Sequence, residues 1–234
     1  MTACRRGYVP TDVKEFSCES QKILRKAQQD LLYLLDHGYK VQGASTFVGN
    51  HYMLSERQRL AIVRATAMTE ILKLREEKRL MKEQIGNKLL FDGLNVIITL
   101  EVALSNSTLI HCMDGTIRDL AGLRGTYRLI DKTDTAIRLI GEELSKTKVE
   151  EVIFYLDAPV SNTGRLKQRL LELLKGYPFH CDVELVDNAD AILKREGNVV
   201  TQDSIIINEC ESWVNLTAEI IYNHMQDIML VELG

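Results

Sequence analysis

From Lys88 onward the chain alternates short β-type runs with helical segments, and this alternation constrains its fold more than any other feature. The runs lie at 89–91, 108–113, 151–156, 182–186 and 198–201, and crossover helices are expected over 133–146, 163–175, 189–194 and roughly 212–226. Strands that alternate with helices pair in parallel through right-handed crossovers. The expected fold is therefore α/β, a three-layer sandwich with a mostly parallel sheet. Residues 96–104 admit two readings: their β-branched side chains suit a strand, whereas their position directly after Asp92-Gly93-Leu94-Asn95 suits a helix.

Before Lys88 the chain reads as helical. Ile23, Ala27, Leu31 and Leu35 recur every four residues on one face, and Gly38 follows as a stop signal. Ser55 and Gln58 have the spacing of a capping box, opening a second helix expected to run to about Lys82, with its charged stretch 73–82 facing solvent. The organisation predicted is a helical N-terminal domain over 1–86 and an α/β domain over 87–234. A hydrophobic content of 45% supports a full core, and no repeat, low-complexity tract or proline-rich linker interrupts it. No apolar run is long enough for a membrane span and the first residues lack a signal-peptide core, so the expectation is a cytoplasmic protein with no membrane partner. Cys4, Cys18, Cys112, Cys181 and Cys210 are scattered without a CxxC pair and read as reduced structural thiols. The net charge of −4 excludes a histone-like polycation but not a basic groove within an acidic protein.

In an open parallel sheet, ligands bind outside the carboxyl ends of the strands, where loops and helix N-termini converge. Asp92, Asp114, Asp157, Asp187 and Asp203 each follow one of the β-type runs. Any single one reads as a helix cap, and Asp187 fits that role best. Repetition is what a cap does not explain, because crowded carboxylates repel one another unless a cation holds them. Carboxylate and water oxygens suit Mg²⁺ or Mn²⁺. The common phosphate-cradle, dinucleotide, zinc-protease and serine-hydrolase motifs are absent, and the five histidines are isolated.

The order Phe91-Asp92-Gly93-Leu94-Asn95, a strand ending in Asp157, Asn188-Ala189-Asp190-Ala191-Ile192-Leu193, and Val199-Val200-Thr201-Gln202-Asp203-Ser204 resembles the PIN-like nuclease superfamily, with its flap-type and NYN branches. Tyr155-Leu156-Asp157-Ala158-Pro159 is similar to the second-strand Asp-Gly-x-Pro region of the flap-type branch. The resemblance spans roughly 88–210 and implies that Asp92, Asp157, Asp190 and Asp203 are catalytic and bind Mg²⁺ or Mn²⁺, with Asn95 orienting a ligand or phosphate. It also implies a partner that is RNA or single-stranded nucleic acid. Flap-type enzymes carry acid pairs two residues apart; here Asn188 precedes Asp190 and Ile205 follows Asp203, which favours one ion over two. Asp114 and Asp187 are the candidate replacement carboxylates. The N-terminal segments Leu34–Tyr39 and Phe47–Tyr52, with the run from Ser55 to Arg59, resemble an uncharacterised prokaryotic conserved family.

Arg118, Arg124, Arg128 and Lys132 lie in Gly- and Thr-containing loops beside the acidic edge and suit phosphate contacts, with Tyr127 available for base stacking. Arg118 and Arg124 serve equally as ion-pair partners for nearby aspartates. Ser161 and Asn162 either present a helix N-terminus to phosphate or form an ordinary cap. The main reading is a metal-dependent nuclease, specifically a ribonuclease, and a homo-oligomer is compatible with it. The alternatives are a non-catalytic PIN-like module that binds RNA or protein, and a metal-dependent phosphatase, for which the DxDx[TV] nucleophile motif is missing.

Overall fold

The computed structural model describes residues 4–122 and 125–234. The N-terminal part consists of α1 (Asp12–Glu15), α2 (Cys18–Asp36), α3 (Val41–His51), α4 (Glu56–Ala65) and α5 (Thr69–Lys78). Ser17 caps α2 through the Ser20 N–H, and the Ser55/Gln58 capping box opens α4 as expected. The helix starting at Ser55 does not reach Lys82. It stops at Ala65, Thr66 turns extended (ψ 135°), and α5 starts afresh at Thr69. The cause is a cap supplied from outside the segment, since the Thr69 N–H and hydroxyl both donate to Asp36, at 2.8 and 2.7 Å, at the end of α2.

After a single 3₁₀ turn at Lys82–Gln84, the chain continues as β1 (Lys88–Asp92), α6 (Gly93–Leu104), β2 (Leu109–His111) and β3 (Ile117–Asp119). Then come α7 (Thr133–Leu144), β4 (Glu151–Asp157), α8 (Thr163–Leu174), β5 (His180–Val186), α9 (Ala189–Leu193) and β6 (Val199–Val200). The chain closes with α10 (Ser204–Glu209), β7 (Trp213–Val214), α11 (Leu216–His224) and β8 (Leu230–Glu232). Residues 96–104 are helical, within α6.

The main sheet is five-stranded and parallel throughout, in the order β5-β4-β1-β6-β7. Side chains alternate across it. Leu89, Phe91, Val152, Phe154 and Leu156 pack with α6, α7, α8 and α11, whereas Leu90, Ile153 and Val199 pack on the opposite face with α9, α10 and Trp213. Helices thus cover both faces, which is the α/β sandwich the alternation predicts.

The run at 108–113 does not join this sheet. β2 pairs antiparallel with β3 and parallel with β8 in a separate three-stranded sheet. Its Ile110 and Cys112, with Leu120, Val231 and Leu233, share one core with Leu24, Leu31 and Ile62 of the helices. Gln28 of α2 donates to the Leu233 carbonyl at 2.6 Å, and Arg25 to that of Glu232 at 3.0 Å. Among the described residues, no helix is long and apolar enough to cross a membrane.

Gly93 fixes how closely the start of α6 approaches β4. A Cβ there would stand 2.7 Å from Leu156 Cδ2 and 3.1 Å from the Tyr155 carbonyl. Gly93→Ala is therefore expected to overpack this junction at a cost of about 1–3 kcal/mol, lowering Tm by about 2–4 °C per kcal/mol in a chain of this size. An unchanged thermal melt would show that Leu156 yields without cost.

Candidate active site

Asp92 ends the central strand and is 4% exposed. Its Oδ2 accepts from Asn95 Nδ2 at 2.7 Å and from Thr201 Oγ1 at 2.8 Å. Thr201 directly follows β6, the neighbouring strand, so the parallel pairing itself delivers that hydroxyl. Burial pushes the Asp92 carboxyl up to about 7 despite these two hydrogen bonds, and the fields of Asp203 and Asp190 push in the same direction.

The register explains why the acids converge. Asp92 lies opposite Tyr155, so Asp157 sits two residues farther along β4 on the same face, the one covered by α9 and α10. α9 carries Asp190 in its first turn, and Asp203 stands at the N-cap of α10. Asp157 accepts the Ala189 N–H at 2.9 Å. Partial burial raises the Asp190 carboxyl, as do Asp203 and Asp157, while Lys194 opposes them. Asp203 accepts the Ile205 N–H at 2.6 Å and donates its own N–H to Thr201 Oγ1 at 3.0 Å. Thr201 thereby bridges Asp92 and Asp203.

Asp92, Asp157 and Asp190 line one cavity of about 170 Å³, together with Asn95 and Thr126. Asp203 lines a neighbouring cavity of about 140 Å³ with Arg64, Arg118 and Gln202, and Asn95 borders both. Among the described residues, no three His, Cys, Asp or Glu side chains stand close enough together to hold one ion. The aspartates are gathered at one edge, but their side chains are not closed into a ligand shell.

Other expectations need correction. Asp114 does not end a strand of the main sheet, because β2 belongs to the second sheet. It opens the β2–β3 turn, accepts the Thr116 N–H at 3.1 Å, and is ion-paired to Arg75 at 2.5 Å and to Arg118. Two guanidiniums occupy its charge, so it is no replacement ligand. Asp187 is exposed in the link between β5 and α9. Arg118 is buried as the partner of Asp114, the ion-pair alternative of the sequence, and its Nε donates to the Gln202 carbonyl at 2.7 Å. Tyr127 is 1% exposed and donates to Glu101 at 2.8 Å, so its ring is core and offers no stacking face. Arg124 lies outside the described residues. Arg128 is exposed, its carbonyl taken by Arg6, and Lys132 pairs with Asp131 at 3.2 Å. Asn162 holds the N-cap position of α8 but makes no side-chain cap; with φ at 65° it turns its Nδ2 to the Tyr127 carbonyl at 2.7 Å, and the Ser161 hydroxyl lies 3.5 Å from the same oxygen. Arg128, Lys132, Ser161 and Asn162 do not line the acidic cavity; the last two hold the loop that does.

Three positions were missed from the sequence: Gln202, Thr201 and Arg64. Gln202 donates to the Asn95 carbonyl and to Thr99 Oγ1, both at 2.7 Å, and accepts from Thr217 at 3.1 Å, tying β6 to α6 and α11. Thr201 lay within the quoted Val-Val-Thr motif, and its hydroxyl beside an acid was the available signal. Arg64 carried none, since it enters from a helix remote in sequence.

Residues 81–219, more than half of the chain, match the family described as Domain of unknown function (DUF5616). The chain belongs to this family. The DUF5616 match contains Asp92, Asp157, Asp190 and Asp203 together with Asn95, Thr201 and Gln202. Residues 23–78, which include Arg64, match Protein of unknown function (DUF434). An uncharacterized protein of Methanocaldococcus jannaschii is 37% identical over 201 residues, covering 85% of this chain and 96% of that relative. No solved structure matches the chain.

Proposed function

We propose that the protein is a metal-dependent nuclease, acting on RNA or single-stranded nucleic acid, in which Asp92, Asp157, Asp190 and Asp203 hold Mg²⁺ or Mn²⁺. The observation that carries this reading is the carboxyl of Asp92, buried at the end of the central strand and raised further by two neighbouring carboxylates. The donor set fits such an ion by its chemistry, being composed of hard carboxylate oxygens beside a small polar cavity. When bound, the ion supplies water activation and neutralisation of phosphate charge. Asn95 and Thr201 fix the orientation of Asp92 by occupying Oδ2. Among the described residues no protein donor binds Oδ1, which leaves that oxygen to the cavity. Thr201 couples this carboxyl to Asp203, and the Ala189 N–H steadies Asp157.

A second reading, a non-catalytic binding module, is favoured by one fact: the side chains do not close around a single point. Metal linkage separates the two. An ion that binds only the folded chain stabilises it by about 2.7 kcal/mol at a hundredfold excess over its Kd, so millimolar Mn²⁺ is expected to raise Tm by several degrees. Chelator should reverse the rise and Asp157→Asn should abolish it. Identical melts in Mn²⁺ and chelator, together with no cleavage of RNA, would favour the binding module.

A further inference from the structure

The cavity next to the acidic one brings two arginines and two aspartates, Asp119 and Asp203, together from two parts of the chain. Arg64, half-buried near the end of α4, and the buried Arg118 of β3 both line it, with Asn95 and Asp203 on the side that borders the acids. Charges here do not cancel pairwise. Arg75 and Arg118 share one carboxylate, that of Asp114. The Asp119 carboxylate is turned to the Thr99 hydroxyl at 2.9 Å and the Ala121 N–H at 2.8 Å; it keeps its charge but makes no ion pair with Arg64 among the described residues. Among the described residues, Arg64 makes no ion pair and one side-chain hydrogen bond, from Nη1 to the Asp119 carbonyl. Its Nε and Nη2 hydrogens are uncommitted, on a planar fork suited to two oxygens of a phosphate. The backbone at this point is also fixed, because Arg118 donates to the Arg64 carbonyl. A guanidinium that is partly desolvated yet lacks a carboxylate calls for an anion.

We propose that this cavity is a phosphate subsite for a nucleic-acid strand, with Arg64 as its principal ligand and Asn95 as the partition from the acidic cavity. The proposal deepens the nuclease reading and rests on it for the identity of the ligand. Its consequence is that the helical region completes the substrate site. One phosphodiester would lie against Arg64 while its neighbour along the strand faces Asp92 and Asp157.

The test uses the full chain and a short fluorescein-labelled oligouridylate in chelator, so that binding is read without turnover. Anisotropy titrations across a KCl series are compared for wild type, Arg64→Ala and Arg64→Lys. Losing one phosphate contact should weaken binding about tenfold and lower the slope of log affinity against log salt by about 0.7. Arg64→Lys should keep the slope and lose part of the affinity, since a point charge replaces the fork. The Mn²⁺-induced rise in Tm should be the same in all three. Wild-type affinity and slope in Arg64→Ala would overturn the subsite and leave the metal reading standing. A binding loss in Arg64→Ala with no Mn²⁺ effect in wild type would support the subsite and sink the nuclease reading instead. Should Arg64→Ala not fold, wild-type affinity in Arg64→Lys overturns the subsite.

Discussion

On the proposed nuclease reading, replacing Asp92 with asparagine is expected to cut RNA cleavage by about two to three orders of magnitude while stabilising the metal-free protein above neutral pH. The asparagine oxygen can accept from both Asn95 and Thr201, so the hydrogen bonds of Asp92 survive and the charge does not. Removing a metal-holding carboxylate withdraws several kcal/mol of transition-state stabilisation, or about two to three orders of magnitude in rate. Stability moves the other way. The folded carboxyl titrates at about 7 against an ordinary value of 3.8, chiefly because burial disfavours its charged form. Folding therefore favours the protonated form; the associated stability is complete below 3.8 and is lost as pH rises through about 7. The interval corresponds to on the order of 4 kcal/mol at this buried site. Denaturant melts in chelator should show wild type weakening across that interval and Asp92→Asn holding steady. Cleavage that persists undiminished in Asp92→Asn, Asp157→Asn and Asp203→Asn would expose a contaminating nuclease.

The second large effect is expected at Asp114, which holds Arg75 of α5 and Arg118 of β3 together. Asp114→Asn leaves two buried guanidiniums without a counter-charge, and breaking a buried pair in this way costs about 3–5 kcal/mol. The melting temperature should fall by about 10 °C or more, whereas Asp187→Asn, at an exposed aspartate, should stay within about 0.5 kcal/mol of wild type. Although burial works to raise the Asp114 carboxyl, Arg118, Thr116 and Arg75 hold it below its ordinary 3.8. Its contribution is thus present above 3.8 and disappears as pH falls through the lower folded value. Equal melts for the two variants would mean that the guanidiniums find other partners.

Strand-end logic brought Asp92, Asp157 and Asp203 to one edge because it depends only on parallel pairing, which alternating elements enforce, whereas Asp190, on a helix, came only from the resemblance. Asp114 failed the same logic, since an apolar run does not declare its partner strands. The Asp114-Gly115 pair was the overlooked clue: Gly115 sits at φ +75°, and a turn of this kind joins antiparallel strands. In α2 the four-residue spacing found Ala27, Leu31 and Leu35, yet Leu24 is buried where Ile23 is 46% exposed. A row of i, i+4 steps drifts by about 40° each time on a helix of about 3.6 residues per turn, so its far end leaves the core face. The break after Ala65, the Gln202 hub and Arg64 depend on partners remote in sequence, which local patterns do not encode.

The hydrogen bond from Gln28 to Leu233 joins residues 205 positions apart, and Val231 and Leu233 fill the same core as Leu24 and Leu31. A ribosome adds about 5–20 residues each second. For roughly 10–40 s after α2 leaves the exit tunnel, its apolar face therefore rests on α3 and α4 without the corner that Val231 and Leu233 add. Only that corner of a nascent chain would stay open to holding chaperones until β8 arrives, and nonsense truncation upstream of β8 would leave it, and the Gln28 amide, without their partners permanently.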